Sequence, residues 1–104
     1  MVIHTLVFSF QPAMAEQDRE EFFREISAVM LDGGAQKFEH RPHLPLPADA
    51  HAPVFVASAV AQISFPDLDA VAAAFALPAL REFMGRWQER FPYEVVWVNH
   101  EPAL

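Results

Sequence analysis

The chain has 104 residues, of which 53% are hydrophobic and 20% charged, with a formal net charge of −7 and no cysteine. Such a length fits a single domain, 1–104, long enough to enclose one core, and the balance of residues excludes a disordered chain. Seven scattered Lys and Arg residues leave no basic surface for nucleic acid, and the missing cysteine removes disulfides, thiolate metal sites and Cys nucleophiles together.

Residues 2–10 alternate as a strand. Val2, His4, Leu6, Phe8 and Phe10 share one face, and Ile3, Thr5, Val7 and Ser9 the other. The segment has no basic n-region and no small-residue cleavage site, so it reads as a strand and not as a signal peptide. No run approaches the ~18–20 apolar residues of a membrane span, so a cytoplasmic protein with no membrane partner is expected.

After the break at Gln11-Pro12-Ala13, a helix is predicted over 16–31. Glu16, Asp18, Glu20 and Glu21 crowd its positive end, and Phe22, Ile26, Val29 and Met30 form the apolar stripe with Phe23 beside them. Asp32-Gly33-Gly34 stops it. A short strand is expected at 36–41, then an extended loop over 42–53 that holds four prolines. Residues 54–65 form the longest predicted strand. Ala57–Ala61 has helical composition, but the β-branched residues around it and Pro66 favour extension.

Asp67 is a suitable N-cap for the next helix, with Leu68, Val71 and Phe75 as its inner stripe. Pro78 opens a further helix carrying Leu80, Phe83, Met84, Trp87 and Phe91, and residues 93–99 form the last strand. The order β-α-β-β-α(α)-β is that of the α+β ferredoxin-like plait, with strands arranged 4-1-3-2 and helices on one side. Helices cover one sheet face only, and the other still carries apolar residues. A specific interface buries ~800 Å² per partner, and ~25 cal/mol per Å² makes that ample, so a homodimer through the sheet faces is expected.

The sequence resembles the stress-responsive A/B barrel (Dabb) family of dimeric α+β barrels. The residues that carry the likeness are Ile3-His4-Thr5-Leu6-Val7-Phe8-Ser9-Phe10, Glu20-Glu21-Phe22-Phe23, Ile63-Ser64-Phe65-Pro66-Asp67-Leu68-Asp69-Ala70 and Pro78-Ala79. They span nearly the whole chain except the proline loop. EthD-like and antibiotic-biosynthesis monooxygenase-like proteins share the fold. The resemblance implies a dimeric barrel with an apolar pocket between sheet and helices and a strand-one histidine at that pocket, as in plant polyketide cyclases. His4 matches that histidine, and Leu6, Phe8, Phe22, Phe23, Ile26, Ala61 and Phe91 match the lining. The chain departs from the cyclases after the third strand, where Leu77 and Leu80 stand in place of two histidines and Ala74 in place of a tyrosine.

Some residues admit two readings. His4 is either a proton acceptor, with an imidazole that titrates close to working pH, or a core histidine. His100 and Asn99 should lie beside it, because the last strand runs antiparallel to the first. His40, His43 and His51 surround a proline-kinked backbone that fixes no metal geometry, so no metal is assigned. A loop over the pocket mouth, with His40 or Arg41 meeting a polar substrate group, is the better reading. No basic pair is placed for haem propionates, and no cofactor is assigned; without one, Trp97, Asn99, Tyr93 and His4 are the polar cast. The expected function is that of a small dimeric pocket protein of secondary-metabolite biosynthesis. It would be a cofactor-independent cyclisation, condensation or isomerisation catalyst on a polyketide-like or other aromatic or heteroaromatic intermediate. The alternatives are a non-catalytic carrier of a hydrophobic intermediate and a stress-associated dimer.

Overall fold

A computed structural model describes residues 1–103. Strand β1 (Val2–Ser9) leads into helix α1 (Glu16–Asp32), then β2 (Lys37–Pro42), a 3-10 turn (Pro47–His51), β3 (Ala59–Phe65), helices α2 (Leu68–Phe75) and α3 (Pro78–Arg90), and β4 (Glu94–His100). The sheet order is β2-β3-β1-β4, with every neighbouring pair antiparallel, which is the predicted plait.

Local chemistry sets the boundaries. The Asp18 carboxylate accepts from the Ala15 amide at the start of α1. At its end the Gly33 and Ala35 amides reach back to the Val29 and Met30 carbonyls, and Gly34 turns the chain at φ 108°. Asp67 caps α2 by accepting from the Ala70 amide at 2.8 Å, and Pro78 opens α3 at a position that needs no N–H donor.

The predicted 54–65 strand is shorter than expected. Val54 is 84% exposed and only Ala59–Phe65 pairs. Both neighbours end first, β1 at Ser9 and β2 at Pro42, and the Ser58 hydroxyl takes the Phe10 amide at 2.8 Å, closing the ladder. The proline loop holds a 3-10 turn tied by His43 Nε2 to Asp49 Oδ2 at 2.8 Å, with the Leu46 amide donating to the same carboxylate oxygen. Leu68 and Met84 are exposed and not inner-stripe residues, because Ala74 and Leu80 occupy the covered positions.

The core lies between the helices and the sheet face built from Leu6, Phe8, Ala59, Ala61, Ile63 and Phe65. Phe22, Phe23, Ile26 and Met30 of α1 and Leu80, Phe83 and Trp87 of α3 close over it, each aromatic worth ~1.5–3 kcal/mol of burial. Trp87 donates its indole N–H to Glu25 at 2.5 Å, joining α3 to α1.

The opposite sheet face is divided. On the β1 and β4 side it carries Ile3, Val7, Val96 and Val98, the last two 61% and 56% exposed. On the β2 side it carries Lys37, Glu39 and Arg41. Polar groups between them satisfy one another. His100 Nδ1 donates to the Glu101 carbonyl, so its Nε2 accepts from the Thr5 hydroxyl at 2.5 Å, and the Thr5 oxygen takes the Gln62 amide at 3.4 Å. No helix among the described residues is long and apolar enough to cross a membrane.

Candidate functional site

Among the described residues His4 is the one buried polar residue, at 1% exposure, on the helix-facing side of β1. Its partner across the β1–β4 ladder is Asn99, and the two side chains meet at 2.6 Å between Nδ1 and Oδ1. An amide oxygen only accepts, so Nδ1 carries the proton and Nε2 keeps its lone pair. That Nε2 is buried and has no partner. Burial lowers the pKa below the ordinary 6.5, while the bond to Asn99 works against the shift. The result is a neutral imidazole with a bare basic nitrogen.

The surroundings are apolar and aromatic. The Phe75 ring lies 4.8 Å and the Trp97 ring 6.0 Å from the imidazole, centroid to centroid. Together with Leu68, Val71, Ala72 and Asn99 they line a groove of about 320 Å³ between α2 and β4. Trp97 is 58% exposed because β4 is an edge strand and no helix lies over it. Sequence reasoning placed Asn99 and His100 beside His4 through the antiparallel last strand; Asn99 is there, whereas His100 is opposite Ile3 and its side chain lies on the other sheet face against Thr5. The same reasoning missed the pocket role of Leu68 and Phe75, since a 3.6-residue stripe does not reveal which of its members meet another helix and which meet open space.

The pocket lining expected from the resemblance divides among three places. Leu6, Phe8, Phe22, Ile26 and Ala61 are packed interior and not cavity wall, since the rings of α1 fill the space above the sheet. Phe91 stacks on Trp87 at the end of α3 beneath the Arg90 guanidinium. Phe23 and His40 do line a cavity, of about 500 Å³, but at the other end of the sheet with Phe10, Met14, Ser58 and Ala59. His40 stacks flat on Phe23, with centroids 4.3 Å apart and planes 6° from parallel. Desolvation, then the Arg41 charge, lowers the His40 pKa.

Arg41 lies opposite Val60 on the other sheet face, donates to the His40 carbonyl at 2.7 Å and does not line the cavity beside Phe23; the two residues share only an open pocket with Glu39, Val60 and Gln62. Tyr93 packs on Phe8 and Phe22, at the end of the sheet away from His4, with its phenol pKa raised by burial. The loop histidines do not converge either. His43 pairs with Asp49, His40 lies on Phe23, and among the described residues no three His, Cys, Asp or Glu side chains are grouped to hold a metal.

No family model and no curated protein matches the chain. Among solved structures it is similar to At3g17210 from Arabidopsis thaliana, at 19% identity over 100% of this chain and 97% of that one, with a TM-score of 0.81. It is also similar to a Dabb family protein with a ferredoxin-like fold from Mesorhizobium loti, at 16% identity over 98% and 96% of the two chains and a TM-score of 0.74. SnoaB, a cofactor-independent oxygenase from Streptomyces nogalater, matches at 17% identity over 99% and 95%, with a TM-score of 0.71. These likenesses are of fold, and at that level the expected resemblance to Dabb proteins is met.

Proposed function

We propose that the chain is a homodimeric pocket protein of secondary-metabolite biosynthesis. Its His4 groove takes a polyketide-like or other aromatic or heteroaromatic intermediate and moves a proton on it without a cofactor. The observation that carries this reading is a neutral His4 that lines an aromatic groove and keeps a buried Nε2 with no hydrogen-bond partner. A carbon acid flanked by carbonyls gives its proton to Nε2, and the new imidazolium is steadied by Asn99 Oδ1 through Nδ1–H. The enolate is then reprotonated at another carbon, which is isomerisation, or attacks a carbonyl of the same molecule, whose new alkoxide takes the proton back from the imidazolium, which is aldol-type cyclisation.

Phe75 and Trp97 would hold a flat substrate against the imidazole. Leu77, Leu80 and Ala74 supply no second acid or base, so His4 carries the proton both ways. The similarity to a protein described as a cofactor-independent oxygenase supports chemistry on this fold that needs no added group. The dimer is supported by the Val7, Val96 and Val98 face, whose polar neighbours Thr5, Gln62 and His100 already satisfy each other and lose little on leaving water.

One observation favours a second reading, that of a carrier for a hydrophobic intermediate: His4 is the sole titratable side chain lining the groove. A β,γ-unsaturated aryl ketone separates the two, since its conjugation needs one base and is read by absorbance. The wild type should accelerate it, and His4→Ala should lose roughly 10²-fold or more while still binding the ketone. Equal turnover by His4→Ala would remove His4 as the base. Binding without turnover by the wild type would favour the carrier.

A further inference from the structure

The 500 Å³ cavity at the far end of the sheet has a chemistry of its own. His4 and Phe10 are six residue steps apart along β1 and its continuation, so the two sites stand ~20 Å apart along the strand. The packed side chains of Leu6 and Phe8 lie between them. The far cavity is walled by Phe10, Met14, Phe23, Pro42 and Ala59, with the His40 ring lying against Phe23.

Arg19 also lines this cavity. Its guanidinium sits 5.5 Å over the Phe10 ring, and its Nε is buried with no hydrogen-bond partner. Among the described residues no carboxylate lies within ion-pair distance of it. A buried N–H without an acceptor is costly, and a bound acceptor would relieve it. Glu16 and Glu20 line the same cavity, so its charge does not favour an anion.

From this arrangement we infer a second small-molecule site, for a neutral, flat, apolar compound bearing one carbonyl oxygen. The ring system lies against the Phe23–His40 stack and beside Phe10, whose ring is already in edge-to-face contact with Phe23 at 5.8 Å, and the carbonyl oxygen accepts from Arg19 Nε–H once the side chain turns that buried N–H into the cavity. The carboxylates of Glu16 and Glu20 set the preference for a ketone over a carboxylic acid of equal shape. This site stands whether or not the His4 reading holds, because it uses none of the same residues.

The test is a 1H–15N titration of the full chain with 2-acetylnaphthalene, and in parallel with 2-naphthoate. The ketone should shift the Arg19 Nε–H signal together with the amides of Phe23, His40 and Ser58. Arg19→Met, which keeps the length and apolar stem, should weaken binding about 10-fold or more, as loss of one hydrogen bond to a charged donor does. His40→Ala, a change at an exposed ring, should weaken it as well. Shifts confined to Phe75, Trp97 and Asn99 would place the probe at His4 and overturn the inference. So would unchanged affinity in Arg19→Met with an intact spectrum, or equal or tighter binding of 2-naphthoate.

Discussion

His4 and Asn99 stand directly opposite each other on β1 and β4, and the imidazole Nδ1–H reaches the amide oxygen at 2.6 Å. The register of one strand pair therefore decides the tautomer of the buried ring and which of its nitrogens keeps a free lone pair. A one-residue slip of either strand would put its side chain on the opposite face and part the pair.

Replacing the amide by a carboxylate tests this coupling. In Asn99→Asp a negative charge faces Nδ1–H, favours the imidazolium and should raise the His4 pKa. An NMR titration of the His4 ring reads it. A value unmoved or lowered by the substitution would show that the pair does not control the ring.

Stability should respond to pH through the same residue. Burial holds His4 below 6.5 in the folded chain, whereas the unfolded chain titrates near 6.5. Below about pH 6.5 the unfolded state takes up a proton that the native state refuses. The stability contribution is thus complete above that value and lost as pH falls through the folded pKa. His40 is shifted in the same direction, so the comparison must be with His4→Gln. Urea midpoints of the wild type should fall more steeply than those of the variant between about pH 7 and pH 5. Parallel curves would contradict the assignment.

Sedimentation addresses the open sheet face. At micromolar concentration the wild type should run at twice the 11.7 kDa monomer mass. Val98→Asp, which puts a charge in the middle of that face, should shift it towards the monomer. A wild type that sediments as a monomer would sink the homodimer.

Two neighbours at the start of α2 should behave differently. Asp67→Ala removes the cap on the Ala70 amide and should cost ~1 kcal/mol in urea unfolding. Leu68→Ala alters an exposed side chain and should stay within ~0.5 kcal/mol, while weakening ligand binding in the His4 groove. A large stability loss at Leu68 with no effect on binding would move it from groove to core.

The fold was legible because its signals are periodic and local. The alternation about His4, Leu6 and Phe8, the Gly33-Gly34 stop, the Asp67 cap and Pro78 each mark an element within a few residues. The site was legible in part. Antiparallel pairing brings Asn99 to His4, and that much follows from element order. The division of the expected lining does not, because whether Phe22 fills space and Phe23 borders it depends on Phe83 and Trp87 of α3, His40 of β2 and Tyr93, which the linear pattern does not place. The early end of β3 was hidden for a similar reason: residues 54–58 have strand composition but no partner strand to pair with.

The two edges of the sheet differ in kind. Strand β2 presents Lys37, Glu39, His40, Arg41 and Pro42, a sequence unsuited to accepting another strand. Strand β4 presents the uncharged run Val95-Val96-Trp97-Val98 at an edge that no element covers. A newly made subunit thus carries an adhesive border along β4. Refolding yield should then depend on a race between folding and edge-to-edge misassembly, and mild dilution or a chaperone present during synthesis becomes a determinant of how much folded protein a cell obtains.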